Sequence, residues 1–432
     1  MIKKVISSTF DDAAFAFAPL TQSSFFVEGT VSELLALFIR DIEARIPESY
    51  LAQIPVEYKS EARKEAERLR KLVRSFLNGG CEDSQLASSH SAQESSMTKL
   101  LQYAVANWQV VNATLEVSYK CNLRCDFCYL ENHSTQELSR EHYRGIGGEL
   151  KKAGVIFVLF TGGETFMRPD VLDIMEDFSE MGFALEAKTN GLLLDKKKIA
   201  RLAKIGLFNL QVSVYEIEEG LSGLTGRNYS FDRLVKNIKL LKEYGIPTDL
   251  SVQVGKHNIY AIESFHEKIG DLADSVYYSP FISPNRGGPG KELSYRLTMG
   301  EMLESFYPFL KKIGGITSPQ KYRENCKDGP SCFAGRDQLA IDPEGNVFPC
   351  LDFRLNLGNI LDRGLEPILL GREKALSPYT LGKITKCRSC DIVEYCDSCI
   401  GMSLIESENY SEPSTHKCDV SQFYYHISKG GA

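Results

Sequence analysis

The chain contains 432 residues, with 50 lysines and arginines against 57 aspartates and glutamates, which gives a formal net charge of −7 at pH 7. Hydrophobic residues make up 43% and charged residues 25%, which excludes a mostly disordered chain. The slightly negative net charge gives no sign of a basic surface that would bind nucleic acid or an anionic membrane. No uninterrupted apolar run exceeds six residues, whereas a bilayer span needs about 20. The composition therefore predicts neither a nucleic-acid partner nor a membrane partner.

Twelve cysteines are the one unusual feature of the composition. Cys81 stands alone, three cysteines fall within 121–128, and eight fall between 326 and 418. In a long chain with no recognisable export signal, clustered cysteines more often bind metal than form disulfides, so we expect a reducing, cytoplasmic compartment. The uneven distribution, together with a Ser-rich stretch, predicts the following organisation: an N-terminal domain at 1–78, a linker at 79–109, a barrel at 110–315 and a Cys-rich domain at 316–432.

The N-terminal domain begins with three short strand candidates, Lys3–Ser8, Ala13–Ala18 and Ser24–Glu28. A helix follows from Thr30, and a second helix carries one apolar stripe along Leu69–Leu77 with the i, i+3, i+4 spacing of a buried face. Charged residues alternate in sign along the rest of that helix, which is typical of a solvated surface. This order of elements predicts a small α+β domain.

From 110 to 315 the pattern is a strand followed by a helix, repeated. The strand candidates are Ala113–Ser118, Val155–Phe160, Ala184–Thr189, Leu207–Val214, Thr248–Val254 and Val276–Phe281. Helix candidates between them include Gln136–Ala153, Pro169–Glu180, Lys196–Lys204 and Phe231–Tyr244. Six parallel βα units predict an open, partial barrel, with its ligand chemistry at the carboxyl ends of the strands.

The loop after the first barrel strand carries Cys121, Cys125 and Cys128. Three thiolates at this spacing can converge on one metal centre. A structural zinc site needs four ligands, for which His133 is the nearby candidate, and this zinc alternative stays open. A [4Fe–4S] cluster held by three thiolates would instead leave one iron vacant for a substrate or cofactor.

The second barrel strand ends in Thr161-Gly-Gly-Glu164, and the third ends in Thr189-Asn-Gly191. Paired glycines let a ligand approach the backbone, and a neighbouring carboxylate suits an ammonium group. Following a three-cysteine loop with an aromatic residue, Phe127, before its last cysteine, this combination resembles the radical S-adenosylmethionine (radical SAM) superfamily. The resemblance covers residues 113 to about 290.

The resemblance implies roles for individual residues. Cys121, Cys125 and Cys128 would be the catalytic ligands of a cluster whose vacant iron chelates S-adenosylmethionine (SAM). The implied SAM contacts are Gly162, Gly163, Glu164, Asn190, Ser213 and Arg227. Relatives often have Ser-Leu-Asp-Gly after the fourth strand, whereas this chain has Ser213-Val-Tyr-Glu216.

The eight C-terminal cysteines suffice for two fully ligated clusters, and a zinc ribbon is the alternative. Their arrangement resembles the SPASM extension of radical SAM peptide-modifying enzymes, although Cys396-x2-Cys399 is one residue shorter than usual. The resemblance implies that auxiliary cluster I binds Cys326, Cys332, Cys350 and Cys399. It implies that auxiliary cluster II binds Cys387, Cys390, Cys396 and Cys418.

The N-terminal domain resembles the winged-helix-like leader-binding domain of enzymes that mature ribosomally made peptides. In that family the leader segment of the precursor adds as a strand to a sheet edge. The implied edge is Ser24–Gly29, with the Leu69–Leu77 helix beside it.

Together these resemblances imply a radical SAM oxidoreductase with three [4Fe–4S] clusters. We expect it to generate a 5′-deoxyadenosyl radical and to install a thioether, C–C or C–O cross-link within a precursor peptide. A flavodoxin- or ferredoxin-type protein would supply single electrons. The alternatives are a peptide epimerase, an anaerobic sulfatase-maturating enzyme and a non-enzymatic iron–sulfur electron carrier. Sulfatase-maturating relatives usually place aspartate directly after the cysteine that corresponds to Cys350. Here Leu351 follows Cys350, and Asp352 comes one residue later.

Overall fold

The structure is a computed structural model. It describes residues 5–10, 13–18, 23–28, 32–52, 54–77, 95–134, 136–217, 224–226, 229–316, 332–396 and 398–430. Three residues discussed above lie outside the described residues: Cys81, Arg227 and Cys326. Gly29, at the end of the implied edge, and residues 79–94 of the predicted linker also lie outside them.

The N-terminal domain is a three-stranded antiparallel sheet covered by helices, as predicted. Its strands are β1 (Ile6–Thr9), β2 (Ala13–Ala18) and β3 (Ser23–Glu28), and they pair in the order β1-β2-β3. Its helices are α1 (Ser32–Arg40), α2 (Glu48–Ala52) and α3 (Lys59–Leu77). Alternation along β2 separates two faces, because successive side chains of a strand point to opposite sides. Ala14 and Ala16 pack in one core with the helices, and Phe15 and Phe17 pack in another.

The face of the N-terminal sheet that carries Phe15 and Phe17 rests on the barrel. The ring of Phe17 meets those of Phe157 and Phe208 edge-on, at centroid distances of 5.4 Å each. Phe157 begins a barrel strand and Phe208 directly precedes another, so the contact lies at the amino ends of the strands. The N-terminal domain therefore sits at the end of the barrel opposite the expected chemistry.

A helix occupies part of the predicted linker. Helix α4 (Ser96–Ala106) begins after Ser95, whose side chain accepts a hydrogen bond from the backbone N–H of Thr98 at 3.2 Å. Such N-caps satisfy a backbone donor that the first helical turn leaves free. Tyr103 of α4 packs against Phe26 of β3 at 5.8 Å. The second half of the predicted linker thus helps to fix the N-terminal sheet on the barrel.

The barrel consists of six parallel strands in sequential order, which confirms the predicted partial (β/α)6 architecture. The strands are β4 (Asn112–Ser118), β5 (Phe157–Gly162), β6 (Ala184–Thr189), β7 (Asn209–Val214), β8 (Thr248–Gln253) and β9 (Ser275–Ser279). The helices between them are α5 (Arg140–Lys152), α6 (Val171–Glu180), α7 (Lys196–Ile205), α8 (Phe231–Glu243) and α9 (Ile262–Ile269). Each boundary falls within a few residues of its prediction, apart from the start of α5.

The barrel sheet extends beyond the six predicted strands into the Cys-rich domain. Strand β10 (Gln338–Ile341) pairs in parallel with β4, and β11 (Asn346–Phe348) and β12 (Gly358–Asn359) continue the sheet antiparallel, for nine strands in all among the described residues. The β10–β11 hairpin turns at Gly345, whose φ of 88° favours glycine. This pairing covers the β4 edge, which would otherwise expose free backbone groups.

Short helices complete the C-terminal half. They are α10 (Met299–Glu301), α11 (Tyr307–Lys312), α12 (Ile360–Arg363), α13 (Glu366–Leu376), α14 (Thr385–Arg388), α15 (Ile400–Ser407) and α16 (Thr415–Ser428), with a π-helical turn at Met302–Phe306 between the first two. In the part of the chain that the structure describes, no helix combines the length and apolarity needed to cross a bilayer.

Candidate active site and cluster sites

A cavity of about 270 Å³ opens at the carboxyl ends of the barrel strands. Seven residues predicted from the sequence line it: Cys121, Cys125, Cys128, Gly162, Gly163, Asn190 and Ser213. These residues come from loops or strand ends of β4, β5, β6 and β7, so the parallel strand order is what assembles them. Their roles as ligands and SAM contacts stay predictions.

Hydrogen bonds fix the path of the cysteine loop. The backbone N–H of Leu123 donates to Cys121 Sγ at 3.4 Å, and that of Cys128 donates to the carbonyl of Cys125 at 3.0 Å. The backbone N–H of Arg124 donates to the carbonyl of Thr225 at 2.7 Å, which ties the loop to the segment after β7. Hydrogen bonds within the protein therefore fix the loop near both its first and its last cysteine.

The three thiols lie in a poorly solvated environment. Burial, with a further contribution from the charges of Glu164 and Cys128, raises the pKa of Cys121 to about 11. Burial also raises the pKa values of Cys125 and Cys128. Thiolates here need a positively charged metal centre to compensate the lost solvation. Three such thiols on one cavity wall fit the three-thiolate cluster with one vacant iron, which SAM would occupy in the rest of the cavity.

The zinc alternative concerns His133, which also lines the cavity. Among the described residues, no group of three or more cysteine, histidine, aspartate or glutamate side chains is placed to hold a single metal ion.

The two glycines after β5 are required by close backbone packing. Gly162 has a φ of 139°, and a Cβ atom there would lie 2.1 Å from the carbonyl oxygen of Ser118. A Cβ atom on Gly163 would lie 2.4 Å from the carbonyl oxygen of Tyr119. Real Cβ atoms do not approach so closely, so any other residue would push β5 away from β4 and deform the cavity wall.

Glu164 lies behind the cavity wall, and its carboxylate is engaged within the protein. Oε1 accepts hydrogen bonds from Thr189 Oγ1 at 2.7 Å and from the backbone N–H of Phe166 at 3.0 Å, and Oε2 accepts one from the backbone N–H of Asn190 at 2.7 Å. Burial raises the pKa of this 2%-exposed carboxyl group. The structure therefore gives Glu164 a bracing contact that the sequence did not predict.

Several polar residues of the cavity were missed from the sequence. Lys188, Ser251 and Gln253 line it together with Ser213, and they lie near the ends of β6 and β8. Burial lowers the pKa of Lys188. Alternation could have identified them, because Ser213, Ser251 and Gln253 take alternate positions with apolar residues in strands whose inward face is the barrel interior.

The C-terminal cysteines form two groups in the structure. The pKa of Cys350 is raised by burial and further by the charges of Asp352, Cys332 and Cys399. Burial likewise raises the pKa of Cys418 to about 11, with contributions from Cys396 and Cys390. Cys332, Cys350 and Cys399 are thus within electrostatic reach of one another, as are Cys390, Cys396 and Cys418.

This grouping follows the interleaving that the family resemblance implies, in which neighbouring cysteines 396 and 399 serve different clusters. Cys387 is 9% exposed and packs beside Ile384 and Ile400, and its carbonyl accepts a hydrogen bond from the backbone N–H of Cys390 at 3.3 Å. The assignment of Cys326 lies outside the described residues, and the full ligand sets stay predictions.

Comparison with known protein families finds matches to two segments of the chain. The model of the radical SAM superfamily matches residues 115–269, and that of the SPASM iron–sulfur cluster-binding domain matches residues 332–399. The chain therefore contains a radical SAM domain followed by a SPASM domain. The radical SAM match runs from β4 to α9 and includes the cysteine loop. The SPASM match includes six of the eight C-terminal cysteines, from Cys332 to Cys399.

The chain is similar to three curated proteins whose names give different functions. The chain is 26% identical over 274 residues to the subtilosin biosynthesis protein AlbA of Bacillus subtilis, covering 60% of this chain and 59% of AlbA. It is 24% identical over 330 residues to an AdoMet-dependent heme synthase of Methanosarcina barkeri, covering 69% and 93%. It is 26% identical over 251 residues to the PqqA peptide cyclase of Bradyrhizobium diazoefficiens, covering 55% and 65%.

Among solved structures, Streptococcus suis SuiB bound to its precursor peptide SuiA shares the fold of this radical SAM protein. The TM-score is 0.63 at 16% identity, and the match covers 96% of this chain and 98% of SuiB. The similarity of fold therefore includes the N-terminal domain, which lies outside both family matches.

Proposed function

We propose that this radical SAM protein is a maturase that installs an intramolecular cross-link in a ribosomally made precursor peptide. The names of two relatives, a subtilosin biosynthesis protein and a PqqA peptide cyclase, and the SuiA peptide bound to SuiB support a peptide substrate. The cross-link would be a thioether, a C–C bond or a C–O bond.

The cavity residues would hold and orient the reacting groups. Cys121, Cys125 and Cys128 would bind the cluster, and the proposed SAM contacts are Gly162, Gly163, Glu164, Asn190, Ser213 and Arg227. When bound, the reduced cluster would supply one electron for cleavage of SAM to methionine and a 5′-deoxyadenosyl radical, which would remove a hydrogen atom from the peptide. The barrel walls position the peptide carbon against that radical and exclude water, which is the protein's main contribution in cofactor enzymes.

The observation that carries the proposal is the N-terminal domain. Among the described residues, β3 pairs with β2 alone, so its other edge is available for a peptide strand. Val27 of β3 belongs to the same core as Leu69 and Val73 of α3, and helix α1 lies between them, in contact with both the sheet and α3. An open strand edge backed by helices suits a leader segment, because backbone hydrogen bonds supply affinity and side-chain contacts supply selectivity.

The two cysteine groups of the SPASM domain would hold auxiliary clusters I and II. After the hydrogen atom is taken, formation of the cross-link would release one proton and one electron, and auxiliary clusters ligated fully by protein could accept that electron. An external one-electron donor of the flavodoxin or ferredoxin type would complete the partners.

The test combines protein chemistry with peptide mass spectrometry. Anaerobically reconstituted protein should contain about twelve irons for three four-iron clusters, and with SAM and a reductant it should release 5′-deoxyadenosine. The Cys121/Cys125/Cys128→Ala variant should release none, and continued release would contradict the site.

Incubation with a precursor peptide should lower the peptide mass by two hydrogens. An unchanged mass with an inverted residue would instead establish an epimerase. A peptide that lacks its leader should bind more weakly to the intact protein in fluorescence anisotropy, and equal affinity would contradict the leader-binding role of the N-terminal domain.

A further inference from the structure

A buried arginine lies between the cysteine loop of the barrel and the loop that carries Cys350. The backbone N–H of Arg286 donates to the carbonyl of Tyr129 at 2.9 Å, and its guanidinium carbon lies 4.7 Å from the centroid of the Tyr129 ring. Its Nη2 donates to the carbonyl of Leu351 at 2.9 Å. Since Tyr129 directly follows Cys128 and Leu351 directly follows Cys350, Arg286 contacts the residue next to a cysteine in both loops.

Arg286 is held in place from two sides. Its Nη1 forms an ion pair with Glu116, whose Oε1 lies 2.9 Å away and whose side chain is fully buried. The neighbouring side chain of Asn285 donates to the carbonyls of Cys128 at 3.1 Å and Leu130 at 3.0 Å. The guanidinium therefore has little freedom to move away from the cysteine loop.

Arg286 belongs to a network of poorly solvated charges. Glu116 also pairs with Arg354, whose Nη1 lies 2.9 Å from Oε2, and Arg354 Nη2 lies 3.6 Å from Oδ2 of Asp342, so two guanidinium groups face two carboxylates. The side chain of Arg286 is only 12% exposed, and poorly solvated charges act over longer distances than exposed ones. Its contacts to Tyr129 and to the carbonyl of Leu351 place this charge beside both cysteine loops, so its field reaches both.

We propose that Arg286 is a positioning residue that sets the reduction potentials of the SAM-binding cluster and of auxiliary cluster I together. One-electron reduction adds one negative charge to a four-iron cluster, so a nearby buried cation stabilises the reduced form and raises the potential. A cation shared by both sites moves the two potentials in the same direction. This inference depends on the proposed cluster assignment.

The test measures potentials rather than turnover. Anaerobic redox titration with dithionite, followed by electron paramagnetic resonance, gives the potential of each cluster. SAM binding identifies the signal of the cluster it contacts, and the Cys121/Cys125/Cys128→Ala background isolates the two auxiliary clusters. In Arg286→Met the potentials of the SAM-binding cluster and auxiliary cluster I should both fall, and that of auxiliary cluster II should not change. Arg286→Lys should lie closer to the unmodified protein.

Arg296→Met is the matched control. Arg296 is also 12% exposed and pairs at 2.6 Å with Glu406, which is 13% exposed, while its Nε donates to the carbonyl of Ile282 rather than to either cysteine loop. This variant should lose a buried ion pair without shifting the two potentials. A fall in Arg286→Met cannot come from loosening of the site, because greater solvent access raises cluster potentials.

Several outcomes would overturn the inference. They are a shift at one site only, equal shifts at all three clusters, or no shift in a fully loaded variant. If Arg286→Met fails to load iron, Glu116→Gln gives the opposite test, since removal of the counter-charge should raise both potentials, and unchanged potentials there would contradict the proposal. A deficit of iron in the unmodified protein would instead contradict the cluster assignment itself.

Discussion

The carboxylate of Glu164 accepts a hydrogen bond of 2.7 Å from the backbone N–H of Asn190 and thereby joins the loop after β5 to the loop after β6. Thr189 Oγ1 donates to the other oxygen of the same carboxylate, at 2.7 Å. Two neighbouring strand ends are thus locked together behind the wall that Gly162 and Asn190 contribute to the cavity. A wall fixed in this way does not have to be ordered by its ligand, which favours affinity and accurate positioning.

Glu164→Gln should weaken this brace. The three groups bonded to the carboxylate are all donors, so the amide NH2 of glutamine would face one of them and leave it unpaired. A buried unpaired donor costs about 1–3 kcal/mol, and we expect that loss in urea unfolding together with weaker SAM binding in calorimetry. Glu180→Gln, at an exposed carboxylate that ends α6, should change neither quantity. Unchanged stability in Glu164→Gln would contradict the bracing role.

The interleaved auxiliary ligands predict that two nearly adjacent cysteines affect different clusters. Cys399→Ala should remove auxiliary cluster I, because Cys399 groups with Cys332 and Cys350, whereas Cys396→Ala should remove auxiliary cluster II. Each variant should lose about four irons, and paramagnetic resonance of the reduced proteins should show a different missing signal. Loss of the same signal in both variants would show that these cysteines share one cluster.

The barrel and its cysteine loop could be predicted from the sequence because their signals are local. The strand predicted at Val155–Phe160 is a short apolar run followed by an amphipathic helix, and the three-cysteine spacing needs no knowledge of the fold. The strand order then follows from the short right-handed connections of βαβ units. The positions of Gly162, Asn190 and Ser213 at one end of the barrel follow from the same rule.

Contacts between distant segments could not be predicted in this way. Pairing of β10 with β4 joins Ala340 to Thr114, and nothing in either short segment specifies the other. The bond from Arg286 to the carbonyl of Leu351 depends on that pairing, because β10 and β11 bring the Cys350 loop back to the barrel. A buried arginine–glutamate pair also has no sequence signature, since charged residues are usually exposed.

The buried thiols predict slow alkylation of the metal-free protein. Burial raises the pKa of Cys121 to about 11, so its thiolate fraction at pH 8 is far below that of an ordinary cysteine with a pKa of about 8.5. Reaction with iodoacetamide, followed by peptide mass spectrometry, should be slower at Cys121 than for glutathione and should still be accelerating between pH 9 and about 11. Alkylation of Cys121 that levels off near pH 9 would contradict the raised pKa.

The same pKa shifts predict how pH affects the stability of the metal-free protein. A thiol whose pKa is higher in the folded than in the unfolded chain stabilises the fold fully below the unfolded pKa, and that contribution is lost as pH rises through the folded pKa. For Cys121 and Cys418 the loss should fall between about pH 9 and 11. Urea unfolding of the metal-free protein should therefore become easier across this range. The effect should be smaller in the Cys121/Cys125/Cys128→Ala variant, and an equal effect would assign it to other groups.

Phe17 should couple the N-terminal domain to the barrel. Its ring is 3% exposed and packs edge-on against Phe157 and Phe208, so Phe17→Ala should weaken this interface by about 3–5 kcal/mol. Hydrogen exchange should then increase in β1–β3 but remain slow in β5 to β8, and 5′-deoxyadenosine release without peptide should persist, because the cavity lies at the other end of the strands. Val56→Ala, at a side chain that is 79% exposed, is the control and should leave exchange unchanged. If exchange rose equally throughout the barrel, the two domains would form one cooperative unit, and the proposed separation of peptide recognition from radical generation would fail.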